Sequence, residues 1–346
     1  MDSHPENSPR VEPPSRRIAP GSAGTGVLSA IGSTPLVELT RLGSGVDQHI
    51  FGKLEMLNPG GSAKDRPALR MLLDGLASGA VREGGTVVES SSGNMGVALA
   101  QACLRLGLSL VCVVDNRISR QNLALLRAYG ARIEAVDAPH PVTGDLLDAR
   151  LARVQSLLGE LPGAWWPNQY QNASNARAHA EGTAVELLDV LGHAPDFAFC
   201  ATSTCGLLAG LVATLSPLGT RVVAVDAFGS ALFGGGRCVR NIPGLGSSRR
   251  PELLAAPPAD VVHVGDLDCV AGCHRLLSEE AILAGGSAGG VVTAALRFRG
   301  QMPRGASVVL VLMDRGERYL DTIYNPDWVA STLGSQDPVG EVYRAD

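Results

Sequence analysis

The sequence predicts an α/β protein: two three-layer α/β/α domains with mostly parallel sheets and a cleft between them. Three observations carry this expectation. Short apolar runs such as "LSLVCVV" (108–114) and "SVVLVLM" (307–313) alternate with longer helical patterns, as buried strands joined by helical crossovers do. Small-residue segments follow predicted strands and open predicted helices, as in "SSSGNMG" and "TSTCGLLAG". The strand series also divides into two blocks, around 86–137 and 196–313.

In chain order, "LVELT" (36–40) and residues 49–55 open the strand series, and a helix is expected over 64–79. "TVVESS" (86–91) precedes a helix at 94–107, strand 109–115 a helix at 119–129, and strand 132–137 a helix at 144–158. A helix over 174–191 leads to strand 196–202 (DFAFCAT) and a helix at 206–215. Strands 221–227 and 261–265, helices 267–279 and 287–299, and strand 307–313 complete the series. Each strand candidate is a run of about 4–8 apolar or β-branched residues, and each helix candidate repeats apolar residues at helical spacing. The loops at the strand ends lie where open α/β sheets bind ligands, and free amides at helix N-termini suit phosphates and carboxylates.

The 346 residues are 45% hydrophobic and 18% charged, with a net charge of −5. No broad basic field exists, so nucleic acid and anionic membranes are disfavoured as partners. The apolar runs are too short to span a bilayer. The first 25 residues, rich in Pro, Ser and Gly, lack the apolar core of a signal peptide and are expected to be a disordered tail. The seven cysteines (103, 112, 200, 205, 238, 269, 273) contain no CxxC pair and read as buried free thiols of a reducing cytoplasm. Cys269, Cys273 and His274 supply no convincing ligand set, so no metal is expected. No G-x-G-x-x-G follows the first strand and no Walker A pattern occurs, which weakens the NAD and ATP readings.

Of 29 basic residues only Lys53 and Lys64 are lysines. Codon bias explains the arginines, but not the position of Lys64 in "NPGGSAKDRPA" (58–68). A lysine amine can be deprotonated and can attack a carbonyl, whereas a guanidinium stays charged. A lysine opening a helix after Gly-Gly-Ser suits a Schiff base with an aldehyde cofactor, for which pyridoxal phosphate (PLP) is the main candidate. Lys53 reads as a structural residue on a strand.

"NPGGSAKDRPA", "ESSSGNMG", "NQYQN", a Ser/Thr/Gly loop and "AGGSAGG" occur in this order over residues 28–325. Together they resemble the cysteine synthase/cystathionine β-synthase family, the fold type II PLP enzymes. "FGKLEMLNPGGSAKDRPA", "VVDNRIS", "IPGLGSSR" and "DRGERYLD" look like one of its branches. Members of that branch condense O-phosphoserine with glutamate to N-(2-amino-2-carboxyethyl)-glutamate, the first step towards 2,3-diaminopropionate for siderophores and peptide antibiotics. The resemblance implies PLP in the interdomain cleft, a smaller mobile domain over 53–165, and a larger domain of 26–52 and 166–330 that binds the cofactor phosphate. A cytoplasmic homodimer acting on small amino acids is implied by the same analogy.

Carried over by motif, Lys64 would be the Schiff-base lysine and the base at the substrate Cα. Asn94 would donate to the phenolic oxygen of PLP; the alternative is a turn or cap asparagine. Ser203, Thr204, Cys205, Gly206 and Leu207 would hold the phosphate, although Ser203 and Cys205 stand where plain cysteine synthases have glycines. Ser287 would face the ring nitrogen, or else simply cap a helix. Ser90, Ser91, Ser92 and Met95 would close over the substrate carboxylate, helped by Gln169. A second substrate with two carboxylates would need more contacts, for which Arg150, Tyr170 and again Ser203 are candidates; Arg150 could equally be a solvated helix face. "WW" at 165–166 reads as core rather than site. Cysteine synthase, a serine/threonine dehydratase and a non-catalytic PLP-binding regulatory protein are the competing functions.

Overall fold

A computed structural model describes residues 25–45, 47–234, 236, 239–254 and 256–343. The expected N-terminal tail, apart from residue 25, and Cys238 lie outside them. Two sheets organise the chain. The larger contains β1 (Leu36–Glu38), β2 (His49–Leu54), β6 (Phe197–Ala201), β7 (Arg221–Ala227), β8 (Asp260–Val264) and β9 (Ser307–Leu312) in the order β1-β2-β9-β6-β7-β8. The smaller is β3 (Thr86–Ser90), β4 (Ser109–Asp115) and β5 (Arg132–Val136) in chain order. All pairings are parallel except β1 with β2, which is antiparallel. Lys53 and Leu54 belong to β2 and therefore to the larger sheet.

The helices are α1 (Asp65–Ala77), α2 (Asn94–Leu106), α3 (Arg120–Ala128), α4 (Leu146–Glu160), α5 (Ala173–Ala178), α6 (Val185–Leu191), α7 (Gly206–Leu215), α8 (Asp266–Glu280), α9 (Gly286–Phe298), α10 (Pro326–Leu333) and α11 (Pro338–Tyr343). The small sheet shows how the strand pattern becomes layers. Val87, Leu110, Cys112 and Val114 face Met71, Leu72, Leu99 and Leu126 of α1–α3. The alternate residues Val88, Val111 and Val113 face Val154 and Leu157 of α4, because successive strand side chains point to opposite faces. Each such aliphatic side chain contributes roughly 1.5–3 kcal/mol by leaving water.

Two departures from the sequence expectation have physical causes. The helix expected over 174–191 is α5, a π-helical turn at His179–Ala184, and α6. The wider turn wraps the buried Arg66, whose Nη1 lies 3.0 Å from where a Cβ on Gly182 would be. α10 and α11 were not expected; Asn325 caps α10 through the amides of Asp327 and Trp328. The glycines of "AGGSAGG" also have a packing use. A Cβ on Gly289 would lie 2.0 Å from the Cys269 carbonyl oxygen of α8, and one on Gly285 2.1 Å from Asp314 Oδ1.

Candidate active site

The loop before α1 is fixed at both ends. Asn58 accepts from the Gly32 amide (2.8 Å) and donates to the Glu55 carbonyl (2.8 Å). Gly60 donates its amide to Asp65 Oδ2 (2.5 Å), and a Cβ there would strike that carboxylate. Gly61 takes φ 84°, which glycine adopts freely. The Ala63 amide then donates to Met313 O (2.8 Å), pinning the loop to the chain just past β9. Lys64 emerges partly buried at the start of α1, and among the described residues no side-chain hydrogen bond holds its amine. Burial lowers its pKa, opposed by the nearby Asp314 carboxylate and Cys205.

Asp314 is the centre of this region, and the sequence reading did not single it out. Its Oδ2 accepts from Asn94 Nδ2 (2.8 Å) and Tyr319 OH (2.5 Å), while its buried Oδ1 has no partner. Burial raises its pKa. Asn94 opens α2 and is gripped from the other side by the Arg318 guanidinium, which also donates to the Gly60 carbonyl. Gly285 donates its amide to the Asp314 carbonyl (3.0 Å), which sets the start of α9 beside this carboxylate. Ser287 is buried in the first turn of that helix.

The 203–207 segment joins β6 to α7. Among the described residues, the backbone amides of Ser203, Thr204 and Cys205 find no acceptor, and those of Gly206 and Leu207 lie in a helix's first turn, where none is available within the helix. Cys205 has φ 63°, the left-handed region that a non-glycine residue occupies at a cost of roughly 1–2 kcal/mol. That strain falls where the sequence comparison noted a cysteine in place of glycine. Asn175 backs the loop: it donates to Gln169 O (2.8 Å) and Thr204 Oγ1 (3.4 Å), and a Cβ on Gly206 would lie 2.0 Å from its Oδ1.

The 90–95 segment is ordered by its own hydroxyls. Ser91 Oγ accepts from the amides of Gly93 (3.3 Å) and Gly96 (3.0 Å). Ser92 Oγ donates to Asp115 Oδ1 (3.1 Å), and the Ser90 hydroxyl is buried without a partner. Met95 differs from the expectation of a loop contact: its side chain, 2% exposed, packs in the core with Leu99 and Cys112, so only its backbone is left for a ligand. Gln169 donates to the Ser90 carbonyl (3.3 Å). Behind them lies Glu89, which accepts from Trp166 Nε1 (2.9 Å) and from the amides of Ser90 (2.8 Å) and Gln169 (3.3 Å). Burial pushes its carboxyl up to about 7. Trp165 is core, stacked against Gly75 of α1, but Trp166 holds Glu89. A buried Glu ending "TVVE" was the available sequence signal for this residue, as "LMD" after an apolar strand was for Asp314.

A cavity of about 560 Å³ opens beside these loops, and Arg150, Tyr170 and Ser203 line it together. Arg150 is no free solvated face: its Nε lies 3.1 Å from Asp115 Oδ2 and its Nη1 3.4 Å from Ser92 Oγ. Burial raises the Tyr170 phenol. The six described cysteines are buried and unpaired, and no metal-binding cluster occurs among the described residues.

The donor set fits PLP chemically. It offers an amine freed from protein hydrogen bonds, a row of unpaired amides opening a helix, an asparagine amide and a buried serine. Residues 27–314 match the family described as pyridoxal-phosphate dependent enzyme. The chain is 45% identical over 313 residues to the N-(2-amino-2-carboxyethyl)-L-glutamate synthase of Ralstonia nicotianae, covering 90% of this chain and 92% of that one. It is 44% identical to the enzyme of the same name from Cupriavidus metallidurans, covering 88% and 91%. The crystal structure of the O-acetylserine dependent cystathionine β-synthase from Helicobacter pylori matches with a TM-score of 0.82 at 27% identity, over 88% of this chain and 100% of that one. The expected fold type II architecture is therefore found, and the chain belongs to the pyridoxal-phosphate dependent enzyme family.

Proposed function

We propose that this enzyme joins O-phospho-L-serine and L-glutamate to N-(2-amino-2-carboxyethyl)-L-glutamate with release of phosphate. The observation that carries the reading is the Lys64 amine, partly buried and free of hydrogen bonds to the described residues, beside Asp314 and the 203–207 loop. The names of the two relatives supply the product, and the resemblance of the motifs supplies the substrates. PLP, when bound, acts as an electron sink that acidifies the substrate Cα–H and lets a β-substituent leave.

The chain's own residues do the rest. Lys64 would hold the cofactor's aldehyde carbon, with Asn94 at the phenolic oxygen, Ser287 at the ring nitrogen and the 203–207 amides at the phosphate. Released by substrate, the Lys64 amine takes the Cα proton and later returns one; burial favours the neutral form that this requires. Ser90, Ser91, Ser92, the Met95 amide and Gln169 would receive the substrate carboxylate, and Arg150, Tyr170 and Ser203 the second amino acid. Residues 53–165, less Lys53 and Leu54 of β2, are read as the smaller, mobile part, whose closure excludes water and so suppresses hydrolytic loss. A homodimer in the cytoplasm is the expected assembly.

The test is product mass from the PLP-loaded enzyme given O-phosphoserine with glutamate, with sulfide, or alone. The glutamate adduct is expected as the main product. Cysteine as the main product, or pyruvate released at the same rate with and without glutamate, would overturn the proposal.

A further inference from the structure

We infer that Arg240 is the residue that selects a carboxylate side chain on the second substrate; this deepens the proposed function and rests on it. The 560 Å³ cavity is walled on one side by Asp115 and Arg150, beside the small sheet, and on the other by Ser203, Arg240 and Ser247. Most of its charge is already committed. Arg150 is paired with Asp115, and Asp145 caps α4 through the amides of Leu147 (2.6 Å) and Asp148 (3.2 Å). Asp137 and Arg117 are exposed on the rim.

Arg240 is different. It is half-buried, and no carboxylate pairs with it among the described residues. Its Nη1 donates to Leu245 O (3.2 Å), which leaves the other guanidinium donors free. Gly246, at φ 75°, lets it lie there, since a Cβ on that residue would sit 2.9 Å from Arg240 Nη1. The same segment is tied to the base of the 203–207 loop by Gly246 N to Thr202 O (2.7 Å), and to the turn after β7 by Ser247 N to Ser230 Oγ (3.2 Å). A held, partly desolvated guanidinium without an acid partner, facing a polar cavity, fits a carboxylate in bidentate geometry. An amino acid whose own carboxylate lies toward Arg150 and Tyr170 would extend its side-chain carboxylate to Arg240.

The test compares glutamate and glutamine as second substrates at saturating O-phosphoserine, for wild type, Arg240→Gln and Arg240→Lys holoenzymes. Arg240→Gln is expected to lower kcat/KM for glutamate about 10- to 100-fold, mostly through KM, as loss of a charge-assisted hydrogen bond does. Discrimination against glutamine should collapse by a similar factor. Arg240→Lys keeps the charge without the fork and should fall between the two, which decides the matter if Arg240→Gln does not fold. An equal loss for both amino acids, or an unchanged preference, would overturn the inference. So would a variant whose defect lies only in the spectral response to O-phosphoserine alone, which would assign the site to the leaving phosphate. A wild-type enzyme that makes no glutamate adduct refutes the proposed function itself, a different failure.

Discussion

The two lysines of this chain sit in opposite kinds of surroundings. Lys53 is wholly buried on β2 and donates to Glu186 Oε2 and to the Thr34 carbonyl, both at 2.6 Å. Arg66 completes the cluster with four contacts of 2.7 Å to Glu55 and Glu186. Two cations meet two anions, and the Thr34 hydroxyl and the Asn58 side-chain amide donate to Glu55 and the Ser33 amide to Glu186. Burial alone would raise Glu186, but the Arg66 guanidinium holds it down at about 2. Around Lys64, among the described residues, the accounts stay open: its amine has no hydrogen bond, Asp314 Oδ1 lacks a partner, and the amides of 203–205 lack acceptors. A closed network fixes structure, whereas polar groups left unpaired in a folded protein mark where something else binds.

The contrast can be broken experimentally. Lys64→Ala should give the largest effect, about 10³-fold or more in turnover, with loss of the visible PLP absorbance and little change in thermal unfolding. Normal turnover in that variant would remove the distinction between the two lysines. Arg66→Leu should do the reverse. It strands Glu55 in the core and is expected to cost about 3–5 kcal/mol in denaturant unfolding, while the folded fraction still binds PLP.

Glu89 sharpens the comparison through pH. Its folded pKa of about 7 lies above the ordinary 4.5, so between these values the folded state binds more protons than the unfolded one. Stability from this group is therefore greatest below about pH 4.5 and falls as pH rises to about 7, by on the order of 3 kcal/mol. Asp65, also raised to about 7 by burial, acts in the same direction. Glu186 works oppositely, since its stabilisation is present above 4.5 and lost as pH falls towards 2. Glu89→Gln should flatten the decline between pH 5 and 7 in urea titrations. An unchanged slope would mean that Glu89 ionises normally.

Much of this was legible in the primary structure. The strands found among the described residues were readable because most are buried parallel strands and nearly all apolar, and Lys64 stood out because arginine stands at nearly every other basic position. Asn94, Ser287 and the 203–207 loop were proposed as site residues from motif order alone. The antiparallel edge at β1 and the π-turn were not, because one depends on which strand lies alongside and the other on Arg66 arriving from α1. Met95 looked like a loop residue because position next to Asn94 does not reveal which way a side chain turns. Glu89, Asp314 and Arg240 were not singled out, because an acid ending an apolar strand, or a lone arginine, does not show what it pairs with until its neighbours are known.

By itself, then, the sequence determined the α/β layering, the position of Lys64 as the lysine to test and the glycine-bearing loops, all of which follow from local periodicity, residue chemistry and steric freedom. Only the tertiary structure decided which of the two lysines is neutralised and which polar groups remain unpaired. Pairing depends on residues far apart in the chain, such as Lys53 with Glu186 or Asn94 with Asp314, and a charge's role is set by what surrounds it after folding.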